Sequence, residues 1–218
     1  MILGTWIAHM RIAEGLENEK LNQEAFLVGN IGPDCGIPLS DGVNYDPPKT
    51  VTHFKDEKGY MQPELFYRKY LRLEIADLSY QKGSFFLGYY VHLLTDLAWI
   101  DFLEEKKQTP EYREILEEPD YIQRVKRDWY GQDFLYLKNN PNNIFHERFL
   151  CIESFPDYLD YFPKGALTRQ IHFIQKYYTE QDPETDRPFV YLTKDEMEHF
   201  VDDTAATVER ALAEKGLW

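Results

Sequence analysis

A histidine and an aspartate lie four residues apart in an otherwise apolar run, Gly88 to Trp99. If this run is helical, His92 and Asp96 lie on one face, because positions i and i+4 are neighbours on an α-helix. An aspartate among leucine, valine and tryptophan is costly to bury as a bare ion. A divalent cation offsets that cost, and nitrogen and oxygen ligands suit Zn²⁺. The same pair would also serve as a buried histidine hydrogen-bonded to a buried aspartate.

Three further residues with metal-ligating side chains come earlier in the chain. His9 lies in a helix-compatible stretch, Asp34 follows a Gly-Pro pair, and His53 comes late in a long polar stretch. Each has an ordinary alternative: a half-buried helix histidine, a turn aspartate, and a loop histidine without a partner. Together with the first pair, they predict a carboxylate-rich metal site built from separate elements, in which an aspartate can bridge two ions.

The elements that must position these side chains are predicted to be helices. The predicted helices are Thr5–Leu16, Asn22–Ile31, Pro63 to Ile75 or beyond, Ser79–Glu105, Glu111–Glu117, Asp120–Lys138, Asn142–Leu150, Tyr158–Tyr178 and Lys194–Lys215. An interruption of the helix Tyr158–Tyr178 is expected near Pro163-Lys164-Gly165. Thr193 and Glu196 have the spacing of a capping box at the start of the last helix. Residues Asp34–Gln62 predict a long functional loop, and Phe189–Leu192 is a short strand candidate. The sequence therefore predicts an all-α fold, with residues 1–218 in a single domain.

The composition limits the partners that the chain can have. There are 38 acidic and 24 basic side chains, which give a net charge of −14. Stable binding to nucleic acid or to anionic lipid is not expected, because both need surfaces rich in lysine and arginine. Cys35 and Cys151 are expected to be free thiols. Neither a signal peptide nor a transmembrane segment is expected, and the predicted location is cytoplasmic.

Four motifs follow one another in the first half of the chain. They are Trp6-Ile7-Ala8-His9-Met10-Arg11-Ile12-Ala13, Phe26-Leu27-Val28-Gly29-Asn30-Ile31-Gly32-Pro33-Asp34, Thr52-His53-Phe54 and Gly88-Tyr89-Tyr90-Val91-His92-Leu93-Leu94-Thr95-Asp96. In this order and at this spacing they resemble the zinc-dependent phospholipase C family. That all-helical family is related in fold to the fungal single-strand nucleases with three zinc ions. The resemblance is clearest over residues 6–103.

The resemblance implies a ligand set and a role for one carboxylate. Asp34, His53, His92 and Asp96 would hold one zinc ion, and His9 with the bridging Asp96 would hold a second. Asp34 matches the carboxylate that the family favours as the general base for the attacking water.

The chain also departs from the family. Secreted members ligate a metal with the amino group of a processed N-terminal tryptophan, whereas Trp6 is internal here. The histidine that the third ion needs is replaced by Phe102. His146 and His172 lack the family's glutamate at i+4, and they are kept as additional candidates for a rebuilt site. His199, near the C-terminus, is expected on a solvated helix face.

The favoured hypothesis is a metal-dependent phosphoester hydrolase in which Zn²⁺ activates water and Asp34 orients or deprotonates it. The substrate would be a phosphodiester, a phospholipid head group or another small phosphoester. The alternative is a non-catalytic descendant that keeps a structural metal, since a closed site with four protein ligands is structural. A phosphohydrolase of the HD type requires adjacent His and Asp residues, and no histidine here is followed directly by aspartate.

Overall fold

The computed structural model describes residues 4–16, 18–40, 44–74 and 77–218, and the protein is mostly helical. Helices account for 62% of the chain, and the sheet found in the described part has only two strands. The prediction of an all-α fold is therefore confirmed at this level. None of the described helices is both long enough and apolar enough to cross a membrane.

The helices follow the predicted order, and several are shorter than predicted. In chain order they are α1 (Trp6–Gly15), α2 (Gln23–Gly29), α3 (Lys49–Thr52), α4 (Pro63–Phe66), α5 (Arg72–Glu74), α6 (Gln81–Lys106), α7 (Pro110–Arg113), α8 (Tyr121–Asn139), α9 (Ile144–Glu147), α10 (Ala166–Glu180) and α11 (Lys194–Glu214). Gly32–Asp34 and Phe149–Cys151 form 3-10 turns, and a π-helical stretch, Tyr67–Leu71, joins α4 to α5. The predicted end of that helix at Ile75 lies outside the described residues. The capping box of Thr193 and Glu196 is present at the start of α11.

The long loop predicted between Asp34 and Gln62 contains regular structure. Strands β1 (Ile37–Pro38) and β2 (Tyr45–Asp46) pair antiparallel, with Ile37 opposite Asp46. The short helix α3 follows and ends at His53. This segment is therefore folded back on itself, which brings Asp34, at its start, close to His53, which follows α3.

Two predicted elements differ from the structure because an aspartate side chain accepts hydrogen bonds from the backbone there. The helix predicted from Tyr158 begins only at Ala166, because the carboxylate of Asp157 accepts hydrogen bonds from the backbone of Gly165 and Leu167 and fixes the start there. The strand predicted over Phe189–Leu192 is wrong. The backbone N–H groups of Val190 and Tyr191 both donate to Oδ2 of Asp128, at 2.7 Å, and not to a neighbouring strand.

The central element is α6, and the backbone of α2 lies in direct contact with it at two glycines. A Cβ atom added at Gly88 of α6 would lie 2.1 Å from the carbonyl oxygen of Phe26 in α2. One added at Gly29 of α2 would lie 2.2 Å from the carbonyl oxygen of Phe85 in α6. Only glycine allows two backbones this close. The contact holds the end of α2, and the turn after it, beside the part of α6 that carries His92.

Farther along α6, aromatic side chains of α8 and α11 pack against the helix. The ring of Trp99 meets Trp129 of α8 edge to face at 5.1 Å and Phe200 of α11 at 4.9 Å. Most residues of α6 from Gly83 to Asp96 are buried, so this helix is enclosed by protein along most of that length. His92 and Asp96 therefore lie where water cannot solvate them.

The start of α1 is tied to α8 and α10 by a buried carboxyl group. Oγ1 of Thr5 accepts a hydrogen bond from the backbone of Ala8 and donates one to Oδ1 of Asp133 at 2.6 Å. Oδ2 of Asp133 accepts from the hydroxyl of Tyr178. Burial raises the pKa of Asp133 to about 7, and these two hydrogen bonds only partly oppose the effect.

We expect Gly88→Ala to destabilise the protein by about 1–3 kcal/mol, because the new methyl group would overlap the Phe26 carbonyl and force α2 away from α6. Urea unfolding followed by circular dichroism measures the loss. Gly15→Ala is the matched control, since its added Cβ would meet only Ala205 at 3.4 Å. That variant should be as stable as the wild type or slightly more stable. Equal stability of the two variants would contradict the close contact of α2 and α6.

We expect part of the pH dependence of stability to come from Asp133. Its pKa is raised from 3.8 to about 7, so its stabilising contribution is complete below 3.8, falls as pH rises, and is lost above about 7. Between pH 5 and pH 8 the wild type should lose about 2–3 kcal/mol from this group. In Asp133→Asn, which cannot ionise, that loss should disappear from urea unfolding curves. The exposed Asp202→Asn should keep the wild-type dependence, and the same dependence in Asp133→Asn would refute the assignment.

Candidate metal centre

The structure brings together His9, Asp34, His53, His92 and Asp96, which come from four separate elements. His9 lies on α1, Asp34 ends the turn after α2, His53 follows α3, and the last two lie on α6. The side chains of the three histidines and of Asp96 have no exposed surface, whereas that of Asp34 is 10% exposed. The cluster is therefore closed on all sides except the one occupied by Asp34.

Asp96 lies at the centre of the cluster and faces each imidazole. Its Oδ1 lies 3.3 Å from Nε2 of His9, and its Oδ2 lies 3.1 Å from Nε2 of His92 and 3.4 Å from Nε2 of His53. The backbone N–H of Gly4 also donates to Oδ1, at 3.3 Å. The two oxygens thus face different sets of ligands, which is the arrangement that a carboxylate bridging two ions requires.

Asp34 connects the buried cluster to the outside. Its Oδ1 lies 3.6 Å from Nε2 of His53 and 3.2 Å from Nζ of Lys49. Its Oδ2 accepts a hydrogen bond from the indole of Trp6 at 3.1 Å. The same side chain lines a cavity of about 310 Å³ that opens to solvent. Asp34 is therefore the one member of the cluster that a small molecule in this cavity can reach.

Hydrogen bonds on the far side of the rings set their orientation. Nδ1 of His92 lies 2.7 Å from the carbonyl oxygen of Asn30, and a carbonyl can only accept, so Nδ1 carries the proton. The lone pair of a neutral His92 then lies on Nε2 and points at Asp96. Nδ1 of His53 lies 2.9 Å from the hydroxyl of Thr52. Such outer contacts fix the tautomer of metal-ligating histidines in general.

Several buried atoms in the cluster have no hydrogen-bond partner, as expected if their natural partner is a cation. The unpaired atoms are Nδ1 and Nε2 of His9, Nε2 of His53, Nε2 of His92 and Oδ2 of Asp96. Buried polar atoms are nearly always paired, so five in one place require an explanation. A metal ion would coordinate one nitrogen of each imidazole and the carboxylate oxygen, so it would account for four of the five atoms. Two groups could hold one: His9 with His92 and Asp96, and Asp34 with His53 and His92, each with its ligand atoms within 4.8 Å of one another.

The electrostatics favour the protonation state of a metal ligand in four of the five side chains, namely His9, His53, Asp34 and Asp96. Burial raises the pKa of Asp96, but the charge of His92 and the close approach of the other two imidazoles outweigh it and hold this pKa well below the ordinary value. The pKa of Asp34 is also lowered, because Lys49 and the imidazoles outweigh burial. Burial lowers the pKa values of His9 and His53. In His92, burial is outweighed by Asp96, and the pKa is raised.

The two oxygens of Asp96 face unequal numbers of ligands. His53, His92 and Asp34 lie on the side of Oδ2, and they complete a four-residue set with Asp96. On the side of Oδ1 the structure places His9 and the amide of Gly4, and an amide N–H is a donor that cannot ligate a cation. The Oδ2 side is therefore the stronger of the two candidate positions.

The structure does not bring His146 or His172 to the cluster. Nδ1 of His146 lies 2.9 Å from the side-chain amide of Asn143, the N-cap residue of α9. Nε2 of His172 is exposed to solvent and lies 2.8 Å from the carbonyl oxygen of Glu153. Neither belongs to a group that could hold a metal in the described part of the chain. His199 is exposed on α11, as expected.

The cysteines lie outside the ligand set. Cys35 follows Asp34 directly, but its thiol points away and donates to the carbonyl oxygen of Ile31 at 3.5 Å. Burial raises its pKa, so the thiol stays protonated and is a poor ligand. Cys151 is exposed, and both cysteines are free.

Lys49 is a member of the site that the sequence reasoning missed. It occupies the first turn of α3, four residues before His53, and forms a salt bridge with Asp34. The i, i+4 spacing of Lys49 and His53 was the signal available in the sequence, since it places both on one face of a helical turn.

Comparison of the chain with protein-family models, with curated proteins and with solved structures finds no match.

Proposed function

We propose that this protein is a zinc-dependent phosphoester hydrolase of the phospholipase C type. One observation carries the proposal. The fully buried carboxylate of Asp96 is shared by imidazole nitrogens that lack hydrogen-bond partners, next to a second carboxylate, Asp34, that reaches an open cavity. The motifs that resemble the phospholipase C family contain all of these residues and support the same function.

The ligands favour zinc or another transition metal over magnesium and calcium, and the family resemblance points to zinc among them. Imidazole nitrogens suit zinc, copper, iron and nickel, whereas magnesium and calcium prefer oxygen ligands alone. His53, His92, Asp96 and Asp34 would hold the first ion. His9 and Oδ1 of Asp96 would hold a second, more weakly, because they offer only two ligand atoms.

Bound zinc would supply Lewis acidity, which activates water and stabilises the negative charge that develops on a phosphoryl group. Asp34 orients the attacking water from the cavity side. Its lowered pKa keeps it ionised at neutral pH, so it accepts a hydrogen bond from that water. The indole of Trp6 and the ammonium of Lys49 hold the carboxylate in place. Enclosure of the histidines excludes bulk water from the reacting side of the site.

A structural metal is the second candidate function, and the burial of the site favours it. The three imidazoles and Asp96 have no exposed surface, and the Oδ1 side offers few ligands. A four-coordinate ion closed by protein ligands stabilises a fold without catalysis. The two functions differ in whether the loaded protein hydrolyses phosphoesters.

We expect Asp96→Asn to lose hydrolysis of bis(4-nitrophenyl) phosphate and to bind less zinc, because a neutral amide cannot balance divalent charge at either oxygen. If Asp96 only oriented His92, its replacement would lower metal affinity or activity by about 10–100-fold. Complete loss of both activity and bound metal would therefore show that Asp96 is itself a metal ligand. Elemental analysis after purification without an affinity tag gives metal per chain, and nitrophenol release gives activity.

Two control variants should leave metal and activity unchanged. They are His199→Ala, on the exposed face of α11, and Cys35→Ser, next to the site but pointing away from it. Wild-type protein must turn over with added zinc and stop with a chelator. A protein that carries zinc but is inert towards phosphomonoesters, phosphodiesters and phospholipids would support the structural role. Full activity and full zinc in Asp96→Asn would refute the site.

A further inference from the structure

The cavity next to Asp34 is lined by an excess of positive charge, whereas the protein as a whole is negatively charged. Four charged side chains line it, and they are Asp34, Lys49, Lys126 and Arg169. Cations thus outnumber acids in the cavity, although the chain carries 38 acids and 24 bases. The three cations come from α3, α8 and α10, which are far apart in sequence. The fold therefore collects positive charge at one point of an acidic protein.

Only one of these cations has its charge balanced. Lys49 pairs with Asp34 at 3.2 Å. Lys126 and Arg169 have no salt-bridge partner among the residues that the structure describes. Burial and the nearby charge of Lys49 lower the pKa of Lys126 and outweigh the attraction of Asp34, so Lys126 and Lys49 are close enough to repel each other. An arrangement of this kind becomes favourable when an anion enters it.

The rest of the cavity wall is apolar and aromatic. Trp6 and Tyr130 lie on this wall with Phe173, whose side chain is 53% exposed. The ring of Trp6 meets Phe173 at 5.8 Å, nearly at right angles. Ligand cavities commonly combine such walls with a few polar groups that fix orientation. This wall gives a place for the organic part of a ligand in the same cavity as the cations.

We propose that Lys126 and Arg169 bind a second anionic group of the substrate, so that the substrate is a phosphoester with an additional phosphate or carboxylate. This inference rests on the proposed function, which places the reacting phosphoryl group at the Asp34 end of the cavity. A zwitterionic head group such as phosphocholine fits poorly, because its quaternary ammonium would meet Lys126 and Arg169. Arginine provides a planar fork of donors for a carboxylate or phosphate, and lysine adds a point charge.

The test measures binding of ligands that cannot be hydrolysed as diesters. Isothermal titration calorimetry of the full chain, at fixed ionic strength, compares methylphosphonate, phosphonoacetate, methylenediphosphonate and phosphocholine. Each titration is done with zinc added and repeated after zinc is removed, with circular dichroism as the check of folding. Phosphonoacetate and methylenediphosphonate should bind at least about tenfold more tightly than methylphosphonate, and phosphocholine should not. Tighter binding of phosphonoacetate would identify the second group as a carboxylate, and tighter binding of methylenediphosphonate would identify it as a phosphate.

The decisive variant combines Lys126→Gln with Arg169→Gln. It should lose the gain in affinity that the second anionic group gives, while its affinity for methylphosphonate stays unchanged. The control is Lys138→Gln with Lys176→Gln, because these lysines lie on the same two helices, α8 and α10, and do not line the cavity. The control should keep the full gain. A wild type without the gain, or a gain that survives in the test variant, overturns the inference.

The binding result can be separated from the fate of the proposed function. If the gain depends on Lys126 and Arg169 but the zinc-loaded protein hydrolyses no phosphoester, the cavity binds a doubly anionic ligand and only the hydrolase assignment fails. If the protein hydrolyses phosphodiesters but no ligand shows the gain, the hydrolase assignment stands and the second anionic group is refuted.

Discussion

The structure depends on one costly feature, the charge of Asp96 at a position that water does not reach. An isolated carboxylate at such a position would take up a proton, but the imidazoles of His9, His53 and His92 face it from two sides and keep it ionised. The helices that carry these histidines must therefore hold fixed positions around α6. A cation among the five side chains would bind the unpaired nitrogens and balance the carboxylates.

The close contact of α2 and α6 sets most of that geometry. Gly29 and Gly88 let the two backbones touch, and the next turn of each helix contributes to the site. On α6 that turn carries His92, and after α2 it carries the Asn30 carbonyl, which accepts the hydrogen bond from His92. Asp34 follows four residues later, at the end of the 3-10 turn. One helix crossing thus orients a ligand and delivers the carboxylate that reaches the cavity.

The sequence predicted the parts of the site that local spacing determines. His92 and Asp96 were found because i and i+4 share a face of one helix, and the capping box of Thr193 was found for a similar reason. No local rule of spacing relates Asp34 to His53, which lie in different parts of a folded loop. Their convergence was predicted only from the order of the four motifs. Lys126 and Arg169 were not predicted, because their meeting depends on how α8 and α10 pack. The strand prediction at Phe189–Leu192 failed for the same reason, because Asp128, which is 62 residues before Val190, accepts hydrogen bonds from its backbone.

The most direct test of the central claim is a crystal structure of zinc-soaked protein with diffraction data collected on both sides of the zinc absorption edge. We predict an anomalous peak about 2.0–2.2 Å from ligand atoms of His53, His92, Asp96 and Asp34, with any second peak near His9 weaker. If zinc bound only at surface sites and His92 and His53 were hydrogen-bonded to Asp96, the cluster would be a buried network of hydrogen bonds, and the metal centre would be refuted.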